Sequence, residues 1–452
     1  MNQKKSKPPE KASDIRAASI LALFQVFQER ETTDVVIRKF SSKYGLDSRD
    51  KSLFAEIVFG VLKNVLFIDY ILLKLLSEGR FPSFISANAL RVGAYQIAFT
   101  NIPVYAAVDS TVEALRSLDA KDNELALTNA VLRNFYRKWK DFKLPDDIVA
   151  NFSIKYSHPE WIVKRWLDRY SREMAEKILS ANNAAPPRAF RINTSQISPI
   201  DFKAKLADEQ ILYQETPFPE FIILKEKIAA PDFEPFTAGL LNVQDAAFAI
   251  PTRILSPNPD DRILEIGAAP GGKTSHIIEF LQTQTENFFT IDLKHTRNLK
   301  ISDNLIRLKH SLPGIVTADA TNPPFKQNRF DKILIDAPCS SWGVIRRHPE
   351  IRWRRKPEDE KRLSDIQRKL IRAAYNLLKP DGELVFTTCT TEPEENQGAV
   401  REIILLGMEL IPIPDSIPQK FIEAQGFVAR TWQHRDNMDG SFNVAARKRV
   451  QS

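Results

Sequence analysis

Apolar residues recur at intervals of three and four from Asp14 onward: Ile20, Leu23, Phe24 and Phe27, then Leu90, Gly93, Ala94, Ile97 and Ala98, then Leu132, Phe135, Tyr136 and Trp139. That period puts each set on one face of a helix and predicts a helical bundle. Asn101-Ile-Pro-Val-Tyr105 interrupts the pattern, and Asp109 or Ser110 is placed to cap a helix beginning at Thr111. Residues 1–13 are polar and read as a disordered tail, while Asp141 to Asp147, with Pro145 and three acids, reads as a linker. Beyond it the spacing is helical from Trp161 to Leu179, breaks at Pro186-Pro187, and turns extended at Ala189 to Thr194. A helical stretch at Phe202 to Leu206 and an extended one at Phe221 to Leu224 complete a small α+β segment.

From about Phe236 the pattern changes again. Short apolar runs at Ile263–Ile266, Phe288–Asp292, Ile315–Ala318, Lys332–Asp336 and Glu383–Thr388 alternate with helical stretches, among them Thr274–Leu281, Thr296–Leu308 and Glu358–Leu378. Such alternation predicts an α/β core with a mostly parallel sheet covered on both faces and ligands bound beyond the carboxyl ends of its strands. The expected organisation is a tail at 1–13, a helical domain at 14–142, a linker and small α+β subdomain at 143–235, and the α/β domain at 236–450.

Length and composition agree with several domains. At 452 residues the chain exceeds what one core supports, and 43% hydrophobic residues suffice for proper cores. Lysine and arginine outnumber aspartate and glutamate by 64 to 57, a mild excess that fits a polyanionic partner. The sequence offers no apolar run of bilayer length and no signal peptide, so a soluble cytoplasmic protein, monomeric and without a membrane partner, is expected. Its two cysteines, Cys339 and Cys389, are too far apart for a C-x-x-C pattern and its six histidines are scattered, so no metal site is expected.

Ile263-Leu-Glu-Ile-Gly-Ala-Ala-Pro-Gly-Gly-Lys-Thr-Ser-His276 reads as strand, tight turn and helix, a geometry that brings backbone close to a nucleotide and aims helix N–H groups at it. Two ligands compete for it. Gly267 through Gly272-Lys273-Thr274 matches the P-loop pattern of an NTPase, with Asp336 as a magnesium carboxylate. Pro270, however, has no N–H to give to a phosphate cradle. S-adenosylmethionine asks for no such cradle: Asp292, about twenty residues past the glycines, suits its ribose, and Asp319 is placed to accept from the adenine amino group.

Both cysteines stand just past strands of the expected sheet, Cys339 in Asp336-Ala-Pro-Cys339 and Cys389 in Thr387-Thr-Cys-Thr390. A thiolate that adds to carbon 6 of cytosine makes carbon 5 nucleophilic enough to take a methyl group, and a base must then remove the carbon 5 proton. Asp336 is placed to meet the polar edge of the pyrimidine. The run Arg346, Arg347, His348, Arg352, Arg354 and Arg355, interleaved with Trp342 and Trp353, reads as phosphate contacts with a stacking indole.

Ala268-Ala-Pro-Gly-Gly-Lys-Thr274, Asp336-Ala-Pro-Cys339, Gly343-Val-Ile-Arg-Arg-His-Pro349, Thr388-Cys389 and Pro393-Glu-Glu-Asn396 together resemble the Sun/RsmB branch of RNA cytosine-C5 methyltransferases. Ala89-Leu-Arg-Val-Gly-Ala-Tyr-Gln96, Pro103-Val-Tyr-Ala-Ala-Val-Asp109 and Asn129-Ala-Val-Leu-Arg133 resemble its NusB-like helical domain. The resemblance covers nearly the whole chain. It implies a Rossmann-like methyltransferase core and S-adenosyl-L-methionine held by Gly267, Ala268, Ala269, Pro270, Gly271, Gly272, Lys273, Asp292, Asp319 and Asp336. It further implies ribosomal RNA of the small subunit as partner, Cys389 as nucleophile and Cys339 as the group that assists product release; spacing does not assign the two cysteines these roles. The chain departs from the family pattern at Gly267, where Cys is frequent, at Trp342, where a small residue is usual, and at Thr390, where Ser is common. Trp342 bears on the shape of the pocket around the target base.

Overall fold

The computed structural model of the chain describes residues 14–226, 228–282 and 284–449, so the tail expected at 1–13 lies outside the described residues. Its contacts divide the chain into two units, one running to Ala184 with Ile345–Arg355 added, the other holding Ala185–Val344 and Lys356 onward.

In the first unit the three-and-four spacing becomes helices α1 (Ile15–Phe24), α2 (Thr33–Lys43), α3 (Ser48–Leu75), α4 (Phe84–Phe99), α5 (Val104–Ser117) and α6 (Asp122–Lys138), followed by α7 (Ile148–Tyr156), α8 (Glu160–Arg169) and α9 (Arg172–Asn183). Side-chain caps fix several starts: Asp14 accepts from Ala17 N, Asp47 from Asp50 N and Ser83 from Ser86 N. Leu21, Leu23, Phe54, Ile57, Val61, Leu90, Leu132 and Phe135 meet in one core. The expected helix start at Thr111 is wrong. Helix α5 begins seven residues earlier, just after Pro103, and Asp109 and Ser110 lie inside it; Pro103 needs no N–H at a helix boundary, and the Thr111 hydroxyl bonds back to Ala107 O at 2.7 Å. Helices α7 to α9, grouped by their sequence with the strand-bearing segment, fall in the helical unit.

Part of the basic run is engaged within the protein itself. Ile345–Arg355, including the short helix at Ile351–Arg354, packs within the helical unit, and none of its residues is fully exposed. Arg352 is buried and donates to the carbonyls of Lys63 (3.2 Å), Tyr156 (3.3 Å), Ser157 (3.1 Å) and Asn182 (2.9 Å). Trp353 donates to Leu62 O at 3.1 Å and packs on the helical core, and Arg354 donates to Glu31 O. The Glu350 carboxylate caps α2 by accepting from Thr33 N (3.2 Å) and Thr33 Oγ1 (2.7 Å). Sequence displays the cations of such a segment but not the carbonyl groups that wait for them.

The second unit holds two sheets. In the small one, β1 (Arg188–Ile192), β2 (Tyr213–Glu215), β3 (Phe221–Leu224) and β4 (Leu241–Val243) pair antiparallel in the order β2-β3-β1-β4, with α10 (Pro199–Asp208) contributing Phe202 and Leu206 to their core. The larger sheet joins β5 (Ile263–Ile266), β6 (Phe288–Asp292), β7 (Gly314–Thr317), β8 (Phe330–Asp336) and β9 (Leu378–Thr388) in parallel, in the order β9-β8-β5-β6-β7. C-terminal strands extend it antiparallel from β9, beginning with Ser441–Arg447, an addition the sequence pattern did not announce. Alternate residues feed two cores, Leu264, Ile333 and Phe386 on one face, Ile263, Leu334 and Val385 on the other. Helices α11 (Glu234–Thr237), α12 (Ala249–Leu255), α13 (Gly272–Phe280) and α14 (His295–Arg307) precede the cysteine segments, and α16 (Pro357–Leu377) and α17 (Pro393–Leu405) follow the segment 351–354, here α15. Among the described residues no helix is long and apolar enough to cross a membrane.

Candidate active site

Parallel pairing brings the ends of β5, β6, β8 and β9 to one edge of the sheet, and the residues singled out from the sequence cluster there. The Gly-rich turn leaves β5 at Gly267, whose φ is 79°; a Cβ at this position would lie 2.3 Å from Asp336 O, so in this chain the turn lies against the end of β8 in a conformation that glycine adopts without strain. Gly271 (φ 96°) caps α13, and Pro270 follows a cis peptide bond. Lys273, in the first turn of α13, donates to Asp336 Oδ2 at 2.6 Å. Burial opposes its charge, but the Asp336 carboxylate more than offsets this and raises the lysine's pKa.

Acids collect around this turn. Asp292, buried at the end of β6, accepts from Lys294 N at 3.3 Å and faces Arg297 at 3.4 Å; Arg297 also donates to Ala269 O at 2.8 Å and so ties the turn to β6. Glu265 is fully buried in β5 and accepts from Thr274 Oγ1 at 2.6 Å, while its Oε1 has no partner. Burial pushes its carboxyl up to about 8, with Asp336 and Asp292 adding to the effect. The sequence reading missed it, although an acid inside an otherwise apolar strand run was the available signal. Asp319 follows Ala318, whose N donates to Asp292 O at 3.2 Å; it is exposed, and its Oδ1 accepts from both Thr321 N (2.9 Å) and Thr321 Oγ1 (2.8 Å), which closes a turn and holds its pKa low.

The cysteines, fifty residues apart in sequence, meet with their sulfurs 3.3 Å apart. Cys339 is buried and Cys389 partly exposed. The hydrogen bond between them pulls their proton affinities apart: Cys389 is lowered by it, with Ser341 and Lys273 helping against burial and Asp336, whereas Cys339 is raised well above the ordinary thiol range by that same bond and by burial. Both shifts favour ionisation of Cys389 over Cys339.

A buried polar frame holds the two cysteine segments together. Glu395 in α17 accepts from Ser340 N at 3.0 and 3.2 Å and from Gln367 Nε2 at 2.9 Å, and Gln367 also donates to Pro338 O at 2.9 Å. Ser340 Oγ lies 2.6 Å from Thr390 Oγ1, and Asn396 Nδ2 donates to Thr390 O at 3.0 Å. Gly343 N donates to Cys389 O at 2.9 Å, and a Cβ on Gly343 would come within 2.3 Å of Gly440 O and 2.8 Å of Cys389 O. Pro393-Glu-Glu-Asn396, noticed in the sequence as a helix start, thus supplies the side chains that fix the loops. Trp342, beside them, is buried.

Fold and site together define an α/β methyltransferase with a paired-cysteine centre. Residues 252–447 match the family model described as 16S rRNA methyltransferase RsmB/F, residues 13–137 the NusB family, and residues 158–230 the ferredoxin-like domain of RsmF/B-like methyltransferases. Ribosomal RNA small subunit methyltransferase B of Pasteurella multocida is 31% identical over 447 residues, covering 97% of this chain and 96% of that protein. Its counterpart in Vibrio cholerae is 33% identical, covering 86% and 89%. A crystal structure of PH0851 superposes with a TM-score of 0.81 at 23% identity over 99% of this chain and 100% of that one, a likeness of fold. The chain belongs to the RsmB/F family of 16S rRNA methyltransferases, which are S-adenosylmethionine-dependent.

Proposed function

We propose that the protein methylates carbon 5 of a cytosine in small-subunit ribosomal RNA through a covalent bond between Cys389 and the base. The observation that carries this reading is the thiol pair, 3.3 Å apart at the strand end that also carries Asp336, and the opposite directions of the two thiols' pKa shifts, Cys389 down and Cys339 up, favour Cys389 as the nucleophile.

The turn suits S-adenosylmethionine. The carboxylates of Asp292 and Asp336, at the ends of the two strands that flank β5, favour a ligand that carries positive charge and hydroxyl donors. They would repel a triphosphate, and Lys273 is already engaged by Asp336. In this reading Gly267, Ala268, Ala269, Pro270, Gly271, Gly272 and Lys273 line the cofactor, Asp292 takes the ribose hydroxyls, and Asp319 and Asp336 complete the contacts. When bound, the cofactor supplies an electrophilic methyl group on sulfur.

The chain's own residues supply the rest. The Cys389 thiolate attacks carbon 6 of cytosine, and the electrons displaced from the 5,6 double bond make carbon 5 a nucleophile. Asp336 orients the ring from its polar edge. After methylation a water placed by Cys339 takes the carbon 5 proton, the electrons of that C–H bond re-form the 5,6 double bond, and the bond from carbon 6 to sulfur breaks to return the Cys389 thiolate. Glu395, Gln367 and Asn396 touch no reacting atom in this scheme; they keep the two sulfurs at their spacing.

Incubating the protein with S-adenosylmethionine and small-subunit RNA, then digesting the RNA and separating its nucleosides, tests the proposal. The methyl label is expected in 5-methylcytidine. Label in any other nucleoside would overturn the assignment.

A further inference from the structure

We infer that Arg191, on the small sheet, is a positioning residue for the cofactor turn, so that this sheet forms part of the methyl-donor site; the inference rests on the reading of Gly267 to Lys273 given above. Arg191 is fully buried in β1, and each of its three nitrogens has a different acceptor. Nε donates to Gln244 Oε1 at 2.7 Å, one terminal nitrogen to the Glu279 carboxylate, and the other to Ser275 Oγ at 2.5 Å. Ser275 and Glu279 both lie on α13, one turn apart. Ser275 Oγ in turn donates to Gly272 O at 3.0 Å and accepts from Asn242 Nδ2 at 3.4 Å. A Cβ built on Gly272 would point at the side chains of Gln244 (3.6 Å) and Asn242 (3.8 Å), so the same two amides flank the glycine itself.

The chain of contacts thus runs from Arg191 through Ser275 to the carbonyl of Gly272, the residue between the αL turn at Gly271 and Lys273. A bare ion pair would need only Glu279. That carboxylate is also bonded by Thr194 Oγ1 at 3.0 Å, and Arg191 holds it ionised against the effect of burial. The fork to Ser275 and Gln244 has no role in neutralising charge, and its effect is to fix the rotation of the first turn of α13. On that rotation depends where the Gly271 and Gly272 backbone faces and where Lys273 meets Asp336. A guanidinium does this better than an ammonium because its donors leave in fixed directions within one plane.

Removing Arg191 strands the buried Glu279, so the informative variant is Ser275→Ala, which cuts the link to Gly272 and leaves the ion pair in place. Affinity for S-adenosylhomocysteine and S-adenosylmethionine is measured by calorimetry on the full chain, with melting temperature in the absence of cofactor and affinity for RNA alongside. The inference predicts roughly tenfold weaker cofactor binding, a raised KM for the cofactor, and unchanged RNA affinity. It further predicts that Arg191→Lys is weakened similarly and that adding Ser275→Ala to Arg191→Lys costs little more, because the two act through one contact. Cofactor affinity equal to wild type in Ser275→Ala would overturn the inference, as would a loss matched for RNA, which marks general damage. A wild-type chain that binds neither cofactor would instead overturn the reading of the turn itself.

Discussion

Replacing Arg352 by alanine should damage the helical unit and leave the salt dependence of RNA binding alone. Its guanidinium makes four bonds to main-chain carbonyls, of which the shortest from each terminal nitrogen, to Ser157 O at 3.1 Å and to Asn182 O at 2.9 Å, are taken as the two full bonds. Bonds from a charged donor contribute about 1.5–3 kcal/mol each, and burying the three-methylene stem adds about 0.8 kcal/mol per methylene. Against this stands the cost of burying the charge, several kcal/mol in general, which also brings the arginine's pKa down to about 9. The balance is a loss of about 3 kcal/mol in Arg352→Ala and about 1 kcal/mol in Arg352→Met, which keeps an apolar stem and buries no charge. In a unit of roughly 200 residues each kcal/mol moves the melting temperature by about 2–4 °C. Arg352→Ala should therefore melt about 6–12 °C lower, and Arg352→Met only a few degrees lower. Thermal melts followed by circular dichroism give the first quantity, and RNA binding across a series of salt concentrations gives the second. If Arg352 instead held a phosphate, the melt would be unchanged and the logarithmic salt slope would shrink by about 0.7–0.9. That result would refute the packing argument.

Other perturbations follow from the site. Because burial keeps the Glu265 carboxyl protonated up to about 8 while the unfolded chain ionises in the ordinary carboxylate range, its contribution to stability falls as pH rises from that range through about 8. Glu265→Gln cannot ionise, so its stability should gain on wild type as pH rises from about 5 to about 8, by at most about 1.4 kcal/mol for each step of one in pH, read as a widening gap in melting temperature; a gap independent of pH contradicts the assignment. The Cys389 thiol should be alkylated with a midpoint below that of an ordinary thiol, and Cys339→Ala should raise that midpoint by removing the donor. A midpoint that stays put when Cys339 is removed denies the pairing.

Much of this site was legible because its signals are local. A Gly-rich break between an apolar run and a helix, an Asp at the next strand end and a Cys just past each of two strands are each visible within a dozen residues, and parallel pairing then gathers them at one edge. What escaped depends on partners distant in sequence. Glu265 looked like part of a strand, since periodicity does not report that a side chain is sealed from water. Among the cations read as phosphate contacts, Arg352 has its partners inside the protein, because sequence shows charge and conceals acceptors: it meets carbonyls at positions 63, 156, 157 and 182. The antiparallel extension beyond β9 escaped for a similar reason: Ser441–Arg447 finds its partner in β9, far back in the sequence, and the strands beyond it, Val428–Thr431 and Ile422–Glu423, are too short to show a pattern.

The central claim is that Cys389 bonds to cytosine and Cys339 frees the product, and trapping that bond tests it most directly. Wild type, Cys389→Ala and Cys339→Ala are each incubated with small-subunit RNA and S-adenosylmethionine and run on a denaturing gel. The account predicts that Cys339→Ala transfers the methyl group yet stays joined to the RNA through Cys389 as a slow band, and that Cys389→Ala gives neither band nor methylation. A band from Cys389→Ala with none from Cys339→Ala would reverse the two roles, and two variants that both methylate without a band would remove covalent cysteine chemistry from the account.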